Sequence, residues 1–89
     1  MSIFVLFRIS EPAKVKAALD VNFPNDYLEV ADAEFLVATN LTAEALSKKL
    51  KITDGTHGNG IVFAMGGYYG RASTDIWDWI KAKVEKVNG

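Results

Sequence analysis

The residues best placed for chemistry are Gly66, Gly67, Tyr68, Tyr69, Gly70 and Arg71, followed at Ser73 by the opening of a Trp-containing helix. Glycines let a ligand approach the backbone closely, and a guanidinium grips a carboxylate or phosphate in two places. Backbone N–H groups beside a helix start add to the attraction for an anion, and two tyrosine rings offer a surface on which a base could stack. The segment therefore reads as a ligand-binding loop for an anion. Its bland counterpart is a strand-to-helix connection with one tyrosine packed inward. It does not match GxxxxGK[ST], so a P-loop is excluded.

The other chemistry-bearing residues form no catalytic set. His57 stands beside Asp54 in a Gly-containing loop and reads as an exposed loop histidine, because a general base needs a positioned partner and a pocket. Asp26, Glu29, Asp32 and Glu34 are acids of one hairpin whose spacing fits no calcium loop, so they read as solvated edge charge. Ser10, Ser47 and Ser73 have no His or Lys at useful spacing for nucleophilic catalysis. No cofactor and no metal site are expected. With no cysteine and one histidine, disulfides, Cys-based zinc sites and multi-histidine sites within one subunit are all excluded.

Charge is uneven along a chain whose sum is −1. Residues 20–44 hold six acids and no Lys or Arg, whereas the rest of the chain carries ten basic residues against five acids. Lys48, Lys49, Lys51, Arg71, Lys81, Lys83 and Lys86 could form a basic patch for nucleic acid, or simply solvated helix faces. Met1–Ile9 is apolar but has no basic leader and is too short to span a bilayer, so neither a signal peptide nor a membrane anchor is expected, and the location reads as cytoplasmic.

Eighty-nine residues make one domain, residues 1–89. A chain this short buries only about 60–65% of its unfolded surface, yet 49% of its residues are hydrophobic. Ile3-Phe-Val-Leu-Phe7 is a continuous apolar run, the mark of a central strand. Glu11-Pro12 opens a helix in which Val15, Ala18 and Leu19 face the sheet, and 22–26 is a loop. Tyr27–Val30 and Glu34–Thr39 form an antiparallel hairpin about Asp32-Ala33. Thr42 caps a second helix, with Leu41 stapled onto Leu46 ahead of Leu50. The segment 51–59 reads as a mobile loop, Gly60–Met65 as the fourth strand, and Ser73 as the cap of a last helix carrying Ile76, Trp77, Ile80, Val84 and Val87 in one stripe.

The order β-α-β-β-α-β-α predicts the α+β class, a ferredoxin-like β-α-β-β-α-β sandwich with an additional C-terminal helix and strand order 4-1-3-2. Two helices cover one face. The other is also apolar, since Phe4, Leu6, Leu36, Ala38, Val62 and Ala64 form one set and Ile3, Val5, Phe7, Phe35, Val37, Ile61 and Phe63 another. Either the third helix or a second subunit must cover it. Trp79, a quarter-turn outside the helical stripe, favours a partner surface and hence a homodimer.

Across most of its length the chain resembles the SinR-like small phage and bacterial proteins, relatives of the ferredoxin-like CRISPR-adaptation nucleases and of virulence-associated protein D. The resemblance is carried by order and spacing: the turn with Pro12, Phe35–Thr39 leading to Leu41-Thr-Ala43 with Leu46 and Leu50, then Ile61-Val62, Gly67, Gly70 and Trp79-Ile80-Lys81. It implies the same fold and dimerisation, and little about activity. In the nuclease relatives the first strand ends in a metal-binding aspartate, and Arg8 stands at that place here. A guanidinium repels a divalent cation. The first reading is thus a non-catalytic homodimeric interaction protein, the alternative a nucleic-acid-binding protein, and the last a divergent metal-dependent nuclease.

Overall fold

The computed structural model describes residues 1–66 and 74–88, with side chains to Lys83. The elements run β1 (Ser2–Phe7), α1 (Pro12–Asn22), β2 (Tyr27–Ala31), β3 (Glu34–Thr39), α2 (Ala43–Lys49), β4 (Ile61–Ala64) and α3 (Thr74–Asn88). The four strands form one sheet in the order β2-β3-β1-β4, with every neighbouring pair antiparallel. This is the ferredoxin-like arrangement with one extra helix at the C-terminal end.

Central placement follows from the residues. β1 and β3 are apolar at nearly every position and are the two strands with neighbours on both sides. The register sets Leu6 opposite Phe35 and Phe4 opposite Val37. These four side chains meet Val15 and Leu19 of α1 and Leu46 of α2 in the main core, joined by Ile9, Phe23, Leu50 and Ile52. Strand alternation sends the residues in between to the other face. There Ile3, Leu36 and Ala38 pack with Ile80 of α3, flanked by Ile76, Trp77 and Trp79.

This register corrects the face sets expected from sequence. Phe4 and Leu6 share their side with Phe35 and Val37, not with Leu36 and Ala38. Alternation along one strand is legible in a sequence, but the pairing between strands is a separate choice, and shifting it by one residue exchanges the faces. Trp79 is also reassigned: it is half-buried against the second cluster, with the Lys83 ammonium 5.9 Å from its ring centroid. The third helix covers part of the second face, over Ile3, Leu36 and Ala38, and Trp79 packs against that part.

Local ties match their residue types. Thr42 accepts the Ala45 N–H at 3.1 Å and caps α2. Lys83 donates to Asp26 at 2.7 Å and to the Asn25 carbonyl at 2.9 Å, latching α3 to the start of β2. The Tyr27 hydroxyl donates to the Asp20 carboxylate, joining β2 to α1, while its ring lies 6.4 Å from that of Phe35. That hydrogen bond, reinforced by desolvation and by the Asp20 and Glu29 charges, pushes the phenol from 10.0 up to about 12.

The bond holds the protonated phenol, so its stabilisation is whole below the unfolded value of 10.0 and is lost as pH rises towards 12. Tyr27→Phe should lower stability by about 1 kcal/mol near neutral pH. The gap to the parent should close in alkali. Urea unfolding across that range, with tyrosinate absorbance as a second signal, checks both; a gap that widens with pH would contradict the assignment.

Candidate interaction surface

The loop that looked richest in sequence is described only at its first residue. Gly66 is exposed, with nothing within 4 Å of where a side chain would begin. Gly67, Tyr68, Tyr69, Gly70, Arg71 and the Ser73 cap lie outside the described residues.

His57 is not the exposed loop residue expected. It is half-buried, and Nδ1 lies 2.8 Å from the carbonyl of Leu50, the residue that closes α2. A carbonyl only accepts, so this contact requires the proton on Nδ1. The imidazole thus satisfies one of the carbonyls that a helix end leaves without a partner. The rest of the segment 51–59 is similarly tied. Asp54 accepts the Thr56 N–H at 2.9 Å, which holds its carboxyl below the ordinary range. Ser10 N–H donates to the Asn59 carbonyl at 2.9 Å, and Asn59 N–H donates to Ser10 Oγ at 2.7 Å. A mobile loop was the expectation; a hydrogen-bonded one is found. The signal missed was Ile52, an apolar residue among turn formers, which is buried in the main core.

Among the described residues the acids do not assemble into a metal site. Asp26 is engaged by Lys83. Among the described residues no three His, Asp or Glu side chains gather closely enough to hold a metal ion. Arg8 is exposed just past the end of β1 with φ 56°, a left-handed turn position. The lysines are divided between layers. Lys48 and Lys49 ride on α2 and Lys51 just after it, whereas Lys81 and Lys83 belong to α3 on the opposite side of the sheet. Lys48 also faces Glu44 at 3.9 Å. Arg71 and the Lys86 side chain, the other members of the expected basic patch, lie outside the described residues.

What the described surface does hold is an apolar cluster at one end of the sheet. Phe7 is 38%, Ile61 46% and Phe63 50% exposed. Phe7 and Ile61 are directly opposed across β1 and β4, and the Phe7 and Phe63 rings lie 6.5 Å apart in a tilted pair. All three project on the face that α3 covers elsewhere, since Val5 and Phe63 are cross-strand partners and Val5 packs on the second cluster. Helix α3 shields Ile3, Leu36 and Ala38 and leaves this corner open.

The sequence held a usable clue to this surface. Order 4-1-3-2 makes the last strand an edge, so apolar residues on it have a neighbour on one side only. None of the described helices is long and apolar enough to cross a membrane. No family model, curated protein or solved structure matches this chain.

Proposed function

We propose that the chain is a non-catalytic interaction protein that works as a homodimer, using the open apolar corner of its sheet. The supporting observation is the exposure of Phe7, Ile61 and Phe63 as one contiguous cluster. Single exposed apolar residues are ordinary on protein surfaces, but a grouped set containing two aromatic rings is a site where association removes water from rings already held in place. Arg8, at the position where the nuclease relatives carry a metal-binding aspartate, argues against cleavage chemistry. The resemblance to SinR-like proteins points the same way, towards a paired ferredoxin-like unit.

Light scattering after size exclusion should give twice the 9.8 kDa chain mass at high concentration, declining on dilution. Phe63→Ser should shift that balance at least tenfold towards the single chain without altering the circular dichroism of the fold. A single-chain mass at every concentration would overturn the proposal.

A further inference from the structure

The sheet ends in two edges that are built differently. On β2 the outer edge carries Glu29, is followed by Asp32 at the hairpin turn, and is irregular in register between Glu29 and Ala31. Charge and irregularity of this kind block strand-to-strand pairing. On β4 there is neither. Residues 60–66 contain no charged side chain and no proline, and among the described residues no strand pairs with β4 on the side away from β1.

The direction of its backbone groups can be read from one bond. Met65 N–H donates to the Ile3 carbonyl at 2.9 Å, so Met65 turns its hydrogen-bonding groups towards β1. In an antiparallel ladder that direction alternates. Phe63 and Ile61 therefore also face β1, and Val62 and Ala64 present their N–H and C=O groups to the free edge.

Resting on the homodimer proposed above, we infer that two copies join edge to edge through antiparallel pairing of β4 with β4, giving one continuous eight-stranded sheet centred on Phe63. In this register Val62 exchanges both backbone bonds with the partner's Ala64, and Ala64 does so with the partner's Val62. Phe63 faces the partner's Phe63 in a non-hydrogen-bonded pair, the closer of the two antiparallel spacings, at about 4.5 Å between Cα atoms. A two-fold axis brings two copies of the same strand side by side, so a charge on the strand would lie close to its own copy, and directly opposite it on the axis. The charge-free β4 meets that condition and β2 does not.

Both copies then present their corners on the same face, and the two Phe7–Phe63 pairs merge into one aromatic row. The three exposed side chains supply on the order of 250 Å² per copy. That is well below the roughly 800 Å² per partner of a standard interface, so backbone pairing must supplement it and the dimer is a concentration-dependent one. Pairing β4 with the β2 edge of another copy would instead leave free edges and grow an open chain of subunits.

The absence of cysteine makes the test clean, since Phe63→Cys introduces a single thiol per chain. With oxidised glutathione as oxidant, and the chain concentrated at least tenfold further to offset the loss of the ring, F63C should form a disulfide-linked dimer at least tenfold faster than Glu29→Cys on the other edge at the same concentration, because a non-hydrogen-bonded pair at a two-fold suits disulfide geometry. A second variant, Ala64→Pro, removes an outward N–H while leaving the groups facing β1 untouched, and prolines are accepted on edge strands. It should be monomeric where the parent is dimeric, with unchanged circular dichroism. If the parent is dimeric but A64P remains so, or F63C links no faster than E29C, the β4 pairing is wrong and the homodimer stands on another surface. If the parent is monomeric throughout, the underlying reading fails as well. Should A64P not fold, the cysteine rates decide.

Discussion

Phe35→Ala should lower the unfolding free energy by about 4 kcal/mol, the largest single-residue loss expected in this chain. Phe35 is 0% exposed at the middle of the sheet, opposite Leu6, and belongs to the main cluster with residues from both α1 and α2. Removing its ring forfeits the transfer free energy of the lost atoms and leaves a cavity that a β-strand held on both sides cannot collapse to fill. A domain of this size has a net stability of about 5–10 kcal/mol, so the variant should keep only about 1–6 kcal/mol of it. Urea titration is the measurement, with the midpoint moving down and the slope unchanged. A loss below about 1 kcal/mol would mean that the main core is not packed around this residue.

Gly58→Ala is expected to cost about 2–3 kcal/mol through two separate effects. The residue sits at φ +88°, a region where a side chain costs about 1–2 kcal/mol, and its added Cβ would meet Ser10 Oγ and Glu11 Cγ, the latter at 2.7 Å. Those neighbours are at the N-terminal start of α1, where Ser10 also exchanges hydrogen bonds with Asn59. The clash therefore forces apart the junction that docks the 51–59 loop against α1. Gly55 provides the comparison, with φ +78° and nothing within 4 Å of a built Cβ. Gly55→Ala should show the conformational cost alone, roughly 1 kcal/mol. Thermal unfolding of both variants separates the terms; equal losses would show that the Ser10 and Glu11 contacts yield at no cost.

The candidate sites were legible in unequal measure. Phe7, Ile61 and Phe63 stood in apolar runs, but nothing in an apolar run distinguishes a buried position from one at a sheet edge. Their exposure comes from β4 having one neighbour among the described strands and from where α3 packs. His57 illustrates the reverse. Beside two glycines and an aspartate it looks solvent-bound, yet the turns of the loop carry its ring back seven residues to the Leu50 carbonyl. Contacts of that sort depend on φ at Lys51, Gly55 and Gly58, and only the glycines signal a left-handed turn in advance.

The residues alone determined the identity and order of the elements, because these depend on local information. Pro12 begins a helix, Thr42 caps one, Asp32-Ala33 turns a hairpin, and the doubly apolar Ile3–Phe7 and Phe35–Val37 runs demand interior strands. Tertiary structure decided which apolar residues share a face, since the register of β1 against β3 depends on both strands and on the helices pressed against them. It also decided the fate of the second face. Helix α3, latched by Lys83 to Asp26, covers Ile3, Leu36 and Ala38 of that face while Phe7, Ile61 and Phe63 stay exposed, so a corner of the same apolar sheet remains in water. Hydrophobicity says that such residues should leave solvent; only the path of the chain says which of them do so within one subunit.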